Sequence, residues 1–362
     1  MTSPRPRSVT ALAGAGRLAG IDLARGLAVF GMFAAHLLVI ERLDPAVPST
    51  WIDLVNGRSS ILFATLAGVS IALMTGAPGT SGTRPASGRT LTTARRRLAV
   101  RAAIIWAIGM LLSALGVPVY VILQAYGILF LLALPLVRLS ARTLWVMAGI
   151  VALGMPWALP LFDRVLVDAG ATGGDLVLLS GWHYPFPLWI AFVFAGMAAA
   201  RSDLRSVRTA VALVAAGVAA AVAAAVASVA LTFPAGSYLG RVFADGAHSG
   251  GVLEAVGSGG FAIAVIGVCL LICRARVVRL VVLPLRAVGS MPLTAYVGQI
   301  VAWAVWAELS LGDVGDLSAF RALQPFWPFV GATVLFCTAW ALLLGRGPLE
   351  RALAAVTHLV PD

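Results

Sequence analysis

The stretch that decides the fold is GIDLARGLAVFGMFAAHLLVI, residues 20–40. It has the length and apolar character of a membrane helix, which needs about 20 apolar residues to span roughly 30 Å of hydrocarbon. It nevertheless contains Asp22, Arg25 and His36. Ionisable groups are costly inside a bilayer and usually face the interior of a helix bundle. The stretch therefore predicts a membrane helix with a polar inner face.

The rest of the chain repeats this apolar pattern. Its 362 residues are 60% hydrophobic and only 11% charged, with a mean hydropathy of +0.96. A soluble domain is about half apolar and about a quarter charged. We therefore predict an all-α, polytopic integral membrane protein with about ten transmembrane helices. The predicted spans are about 20–41, 58–76, 98–116, 117–138, 142–161, 184–200, 208–231, 250–273, 286–308 and 326–345.

The arginines indicate how the chain is oriented. All 26 basic residues are Arg, and the ten-span model places 20 of them on one side and 4 on the other, with Arg25 and Arg58 inside spans. Short loops rich in Arg mark the cytoplasmic side, so both termini are predicted to be cytoplasmic. The arginines behind the net charge of +11 are concentrated in loops on one predicted side of the membrane. We therefore expect a multi-pass protein of the cell membrane, in contact with lipid. We do not expect it to bind nucleic acid.

The predicted organisation is one membrane domain between two short tails. Residues 1–17 form a cytoplasmic tail without regular structure, residues 18–346 form the ten-helix domain, and residues 347–362 form a second cytoplasmic tail. The cysteines Cys269, Cys273 and Cys337 all lie in apolar segments, so no extracytoplasmic disulfide framework is expected. Cys269 and Cys273 lie on one helix face without further ligands, which indicates packing, so no metal site is predicted.

The three ionisable residues of the first span fall on one face of the helix. At about 100° per residue, Asp22, Arg25 and His36 share a stripe, and His36 lies roughly 21 Å further along the axis than Asp22. Asp22 and Arg25 can form a structural salt bridge, or they can belong to a substrate site at the cytoplasmic end. His36, near the outer end, is a candidate general base or acyl acceptor. The alternative for His36 is an interfacial histidine bonded to a backbone carbonyl.

The second span opens with another polar group, in WIDLVNGRSSILFATLAGVSIAL, residues 51–73. Asn56 and Arg58 lie at about the depth of His36, where they could polarise a carbonyl or orient a substrate. Alternatively, Asn56 caps the helix, Arg58 extends to the interface and Asp53 pairs with Arg58.

Two further sets of polar residues complete the candidate site. The basic cluster before and within the third span could hold the phosphates of a nucleotide-like cosubstrate, or serve as a topology signal that contacts anionic lipid. The outer set could line a substrate cavity, bridge helices or, for Tyr184, anchor the chain at the membrane interface. The basic cluster comprises Arg95, Arg96, Arg97 and Arg101, and the outer set comprises Asp53, Gln124, Tyr126, His183, Tyr184, Tyr296 and Gln299.

Several stretches resemble the bacterial branch of the heparan-α-glucosaminide N-acetyltransferase-like family. They occur in the same order and with similar spacing over most of the chain, and the Asp-x-x-Arg-Gly opening and the Asn-Gly-Arg start of the second span are the most specific. The stretches are GIDLARGLAVFGMFAAH, NGRSSILFATLAGVSIAL, LQAYGILFLLALPL, WHYPFPLWIAFVFAGMAAARSDL and PLRAVGSMPLTAYVGQ.

The resemblance implies a transmembrane acyltransferase. Such proteins take an acyl group, here most simply acetyl, from cytosolic acyl-CoA and pass it to a sugar or similar acceptor on the far side. Asp22 and Arg25 match the family's opening motif, and His36 matches its polar residue at the end of the first span. Animal members use a catalytic histidine in the following loop, near the position of Val47, and that loop contains no histidine here. Either His36 takes over the role of base, or this chain does other chemistry, or it is a non-catalytic membrane scaffold rather than an enzyme.

The function predicted from the sequence is therefore acyl transfer across the membrane. Acyl-CoA would bind near Asp22, Arg25 and the basic cluster, and His36 would act on an extracytoplasmic glycan or small-molecule acceptor. Asn56 and Arg58 would stabilise the developing oxyanion. The alternative is a transporter or flippase for a small solute or a lipid-linked group, because buried ionisable residues also mark transport routes. The oligomeric state stays open, with a homodimer as one alternative.

Overall fold

The computed structural model describes residues 17–44, 46–77, 79–80, 82–170, 175–234 and 236–360. In this part of the chain the regular structure is helical, and the sole β pairing is an isolated bridge between Gly76 and Pro85. The prediction of an all-α fold is confirmed. The helices are α1 (Ala19–Leu37), α2 (Arg58–Met74), α3 (Gly88–Ser113), α4 (Leu123–Ala133), α5 (Ala141–Asp168), α6 (Asp175–Ser180), α7 (Phe186–Arg201), α8 (Val207–Ala230), α9 (Tyr238–Val242), α10 (Val252–Ile272), α11 (Arg276–Val281), α12 (Leu283–Ser290), α13 (Pro292–Leu311), α14 (Leu317–Ala322), α15 (Phe326–Leu343) and α16 (Pro348–His358).

Several of these helices can cross a bilayer. Among the described residues, six are long and apolar enough, and the bent pair α12–α13 makes a seventh. Two shorter apolar helices, Leu123–Leu136 and Phe186–Arg201, lie among them. The protein is therefore a multi-pass membrane protein. The count of about ten crossings and the cytoplasmic placement of both termini stay predictions.

The span predicted at 286–308 is broken rather than continuous. Helices α12 and α13 meet at an angle of 85°. Met291, between them, leaves the helical conformation with φ −138° and ψ 56°. The following residue, Pro292, has no backbone N–H and disfavours helical geometry in the residue before it, which explains the break at this point. The break places the beginning of α13 inside the bundle.

The third and fourth spans also differ from their predicted limits. Helix α3 begins at Gly88, about two turns before the arginine cluster, so the segment between the second and third predicted spans, 77–97, is helical from residue 88. Leu91 and Leu98 are both buried, so the apolar face of α3 continues through a stretch whose mean hydropathy the arginines lower. Helix α4 begins only at Leu123, and residues 117–122, predicted as part of the fourth span, are not helical.

Helix α1 lies in the centre of the bundle. Its side chains Ala24, Ala28 and Phe33 are fully buried. It packs closely against α12, where a Cβ atom on Gly289 would overlap the carbonyl oxygen of Asp22. Small residues allow helix backbones to approach closely in a membrane. The polar stripe of α1 is therefore enclosed by protein on several sides.

The segment predicted as a C-terminal tail, 347–362, contains α16. Leu353 and Thr357 of this helix are buried against the bundle. Its Glu350 carboxylate accepts hydrogen bonds from the backbone N–H groups of Leu293 (2.8 Å) and Thr294 (3.1 Å), and from the Thr294 hydroxyl (2.5 Å). Helix α16 therefore holds the first turn of α13 in place.

Candidate functional site

A basic cavity of about 610 Å³ opens between α3 and α16. Four arginines contribute to its lining, together with three threonines and His358. Arg89, Arg97 and Arg101 come from α3, and Arg346 comes from the turn before α16. This concentration of guanidinium groups suits an anionic ligand, because guanidinium binds phosphate and carboxylate through paired N–H donors.

Helix periodicity decides which members of the predicted basic cluster reach this cavity. Arg97 and Arg101 are four residues apart and line it, as does Arg89, eight residues before Arg97. Residues four apart lie on the same helix face. Arg95 and Arg96 face other directions: Arg95 donates to the carbonyl of Pro135 at 3.2 Å, and Arg96 is exposed. The predicted cluster is therefore divided between the cavity and the outside of α3.

A smaller central cavity of about 130 Å³ follows the basic cavity, and the two share Met74 and Arg101. The lining of the central cavity is mostly apolar, from α2, α3, α4 and α13. Its polar members are Arg25, Ser70, Arg101, Tyr126, Tyr296 and Glu350.

Asp22 does not line this central cavity but holds Arg25, which does. The buried Asp22 carboxylate lies 3.5 Å from the Arg25 guanidinium and 2.5 Å from the Nε of Arg17. Arg25 also donates to the Ser70 hydroxyl at 2.7 Å. The predicted salt bridge is therefore present, and it orients Arg25 towards the cavity.

An outer cavity of about 210 Å³ lies beyond the central one, and Tyr296 lines both. Two tyrosines of the central cavity bond backbone groups of residues that line the outer cavity. The Tyr126 hydroxyl donates to the Ser60 carbonyl at 3.3 Å, and the Tyr296 hydroxyl accepts from the backbone N–H of Ile122 at 3.3 Å. Polar residues of the outer cavity include His36, Asn56, Tyr120, Tyr184, His248 and Arg321. The basic, central and outer cavities therefore lie in series, each sharing residues with the next.

His36 lies at the end of α1, where its surroundings hold it in place. Its Nδ1 is 3.4 Å from the Gln299 side-chain nitrogen. Arg321 donates to the His36 carbonyl from Nε (3.2 Å) and Nη2 (3.0 Å), and to the Ala35 carbonyl at 3.4 Å. A cation at a helix C-terminus satisfies carbonyl groups that have no partner within the helix. Gln299 therefore contacts His36 without lining the outer cavity itself.

The two polar side chains of the Asn-Gly-Arg turn have different surroundings. Asn56 lines the outer cavity and donates to Asp53 Oδ1 at 3.1 Å, so it does not cap α2. Arg58 points elsewhere: it donates to the carbonyls of Asp53 (3.1 Å) and Leu54 (3.2 Å), and its guanidinium lies 6.0 Å from the Phe261 ring. The Asp53 carboxylate also accepts from the backbone N–H of Leu43 at 3.1 Å. Asp53 and Arg58 therefore stabilise the turn rather than line the cavity.

Gln124 and His183 line a separate side cavity of about 260 Å³. It shares Val119 and Tyr120 with the outer cavity. The rings of Tyr120 and His183 stack with centroids 3.4 Å apart, and Gln124 donates to the Ser113 hydroxyl at 2.7 Å. Burial lowers the pKa of His183. Among the predicted outer residues, only Tyr184 and Tyr296 therefore join His36 and Asn56 at the outer cavity itself.

Three ionisable side chains of the outer cavity carried no functional assignment from the sequence: Tyr120, His248 and Arg321. Tyr120 lies in the non-helical segment before α4, His248 lies in the loop before α10, and Arg321 lies on the short helix α14. Protein packed around His248 lowers its pKa to about 4, and His183 adds to this effect. In the sequence each of them is an isolated residue, so no local pattern distinguishes them.

Comparisons with known proteins identify the family. Residues 17–234 match the model of the heparan-alpha-glucosaminide N-acetyltransferase catalytic domain, and residues 198–359 match a family described as a protein of unknown function, DUF418. No curated protein and no solved structure matches the chain. In the described part of the chain, no group of three or more His, Cys, Asp or Glu side chains could hold a metal ion. Because the first model covers more than half of the sequence, the chain belongs to the heparan-alpha-glucosaminide N-acetyltransferase family of membrane acetyltransferase-like proteins.

Proposed function

We propose that the protein transfers an acyl group, most simply acetyl, from cytosolic acyl-CoA to an acceptor at the extracytoplasmic side. The observation that carries this proposal is the series of three cavities. The series begins at arginines predicted to be cytoplasmic and ends at side chains predicted to be extracytoplasmic. Family membership supports the acetyltransferase chemistry.

The basic cavity is the proposed site for the phosphates of the donor. Arg89, Arg97, Arg101 and Arg346 would bind them by charge-assisted hydrogen bonds. The mostly apolar central cavity would enclose the uncharged arm and the acyl group. Arg25, oriented by Asp22 and Ser70, lies on this route. Arg95 and Arg96, which lie outside the basic cavity, have no part in this proposal.

The outer cavity is the proposed place of transfer. His36 would act there as a base or as a transient acyl carrier, the two roles open to an imidazole. Asn56, which lines the same cavity, would donate a hydrogen bond to the developing oxyanion. Arg58 is left out of this role because its guanidinium bonds the carbonyls of its own turn. The acceptor would be a sugar or another molecule with a hydroxyl or amine.

The test is ligand-dependent thermal stability of the purified protein in detergent, with acetyl-CoA against ATP as a control for phosphate binding. A ligand at 100 times its dissociation constant adds about 2.7 kcal/mol to the unfolding free energy. We expect a larger shift with acetyl-CoA than with ATP. Losing one charge-assisted hydrogen bond removes about 1.5–3 kcal/mol, so Arg97→Gln and Arg101→Gln should each weaken binding about 10- to 100-fold.

Arg96→Gln is the matched control, because Arg96 lies on the same helix outside the cavity. It should leave the acetyl-CoA shift unchanged. An equal effect of all three substitutions would contradict the proposed donor site. Folded protein that responds to no acyl-CoA would favour the transporter instead, which the 85° break between α12 and α13 would suit, because transporters build substrate sites from broken helices.

A further inference from the structure

His248 lies on the outer cavity, although its position in the sequence suggests no role. It comes from the loop between α9 and α10. Its ring lies 5.2 Å from the Tyr184 ring at an interplanar angle of 86°, and 6.2 Å from the Trp189 ring at 9°. Two aromatic side chains therefore orient the imidazole. The outer cavity is thus lined by two histidines, His36 and His248.

The backbone at His248 is held in an unusual conformation. Its φ is +60°, in the left-handed region that non-glycine residues rarely adopt. The buried Glu254 carboxylate accepts from the backbone N–H of His248 (2.6 Å), from that of Gly250 (2.7 Å) and from the Ser249 hydroxyl (3.1 Å). Strained residues persist where the surrounding structure holds them, often at active sites. Glu254 therefore acts as a positioning residue for the loop that carries His248.

The same loop contacts the turn that carries Asn56. A Cβ atom on Gly57 would lie 2.7 Å from the Cβ of Ala247, and Gly57 itself has a φ of +67°. Only glycine permits both this conformation and this close approach. The contact keeps His248 and Asn56 beside the same cavity, although they lie far apart in the sequence.

The two histidines have different surroundings. His36 belongs to α1, with its Nδ1 beside Gln299 and its carbonyl bonded to Arg321. His248 belongs to a loop and is partly exposed to solvent, while its ring packs against aromatic rings. Because its pKa is lowered, its imidazole is uncharged near neutral pH, which is the form that a base needs. The position of His248 at the solvent side of the cavity suits an acceptor that arrives from outside.

We propose that His248 is the base that takes the proton from the acceptor during acyl transfer. This inference rests on the proposed function. In direct transfer, a His248 ring nitrogen accepts the proton while the acceptor oxygen or nitrogen attacks the thioester carbonyl carbon. The new C–O or C–N bond forms, the C–S bond breaks, and the leaving thiolate takes the proton from His248 and departs as free CoA thiol. His36 is then left to position the acyl group.

The test measures release of CoA thiol from acetyl-CoA by the purified protein, with glucosamine and hydroxylamine as probe acceptors. Glucosamine offers both hydroxyl and amine nucleophiles. His248→Asn is the first variant, because Asn tolerates a positive φ better than most residues and carries no base. General base catalysis contributes about 10²- to 10⁴-fold, so we expect a loss of that size in transfer to glucosamine. The acetyl-CoA thermal shift should stay as in the unchanged protein.

His248→Gly with added imidazole separates catalysis from structure. Glycine accepts the positive φ, and the cavity left by the side chain can admit a free imidazole. We expect added imidazole to restore transfer at least tenfold, which a merely structural role of His248 would not produce. Asp245→Asn, an exposed neighbour on the same loop, is the matched control and should keep the rate.

Two results would overturn the inference alone: a His248→Asn rate within threefold of the unchanged protein, or a folded His248→Gly variant that imidazole does not rescue. Donor binding without transfer to either probe would refute the proposed acyl transfer and the inference with it. If the unchanged protein shows no acetyl-CoA shift, the donor site itself is refuted. If the shift persists and only the His248 results are negative, acyl transfer survives and His248 is not its base.

Discussion

Replacing Glu350 tests whether the C-terminal helix α16 holds the broken helix in place. Helix α13 begins at Pro292, and its N-cap residue Met291 makes no side-chain capping bond. Instead, Glu350 accepts from the N–H groups of Leu293 and Thr294 and from the Thr294 hydroxyl. A carboxylate at this end also interacts favourably with the helix dipole. Glu350→Ala removes all of these interactions at once.

The expected size of the effect follows from these contacts. Loss of a helix N-cap destabilises by about 0.5–2 kcal/mol, and loss of the charge at the dipole by about 0.3–1 kcal/mol. Because the Thr294 hydroxyl also loses its acceptor, we expect Glu350→Ala to lower the unfolding free energy by about 2–3 kcal/mol. Glu350→Gln keeps one acceptor oxygen and loses the charge, so it should cost about 1 kcal/mol.

The assay combines denaturation in detergent with amide hydrogen exchange of the peptide over residues 291–300. We expect faster exchange at Leu293 and Thr294 in Glu350→Ala. The matched control is Glu308→Ala, an exposed residue in the last turn of the same helix, where removal of a negative charge should not destabilise. A Glu350→Ala protein of unchanged stability and unchanged exchange in this peptide would refute the capping role.

Two further predictions concern the outer end of the bundle. Arg321→Gln should lower the unfolding free energy by about 1–2 kcal/mol because it leaves the carbonyls at the end of α1 without their cation. In the same denaturation assay, the exposed Arg164→Gln should change stability by less than about 0.5 kcal/mol, and equal effects would contradict the capping of α1. Gly57→Ala should destabilise more than Gly116→Ala: both have a positive φ, but only Gly57 has a neighbour within 4 Å. The difference should be about 1–3 kcal/mol, and no difference would mean that the loop carrying His248 does not press against this turn.

The membrane fold was predictable from local patterns. Apolar runs of spanning length indicate helices that bury their backbone hydrogen bonds internally, and this requirement does not depend on which helices become neighbours. The stripe formed by Asp22, Arg25 and His36 was predictable for the same reason, because it follows from the helical period alone. The salt bridge between Asp22 and Arg25 is a contact within one helical turn.

Two other features, the start of α3 and the break before α13, had signals in single residues that averaging the hydropathy over a segment hides. Arginines lower the mean hydropathy of the first turns of α3, so its start at Gly88 was missed, although Leu91 continues the buried face. With the correct helix start, the four-residue spacing separates Arg97 and Arg101 from Arg96. The break at Met291 had a local signal in Pro292, but a proline near a helix start is also compatible with an unbroken span.

The sequence alone thus determined the all-α membrane fold, the polar face of the first helix and the family resemblance, because each depends on residues close together in the chain. Only the tertiary structure decided that the basic, central and outer cavities lie in series. The carbonyl of His36 meets a side chain 285 residues away, and His248 enters the same cavity from a different loop. Such contacts depend on how closely the helices pack and on where the loops between them are held. No periodicity within a single segment records that information.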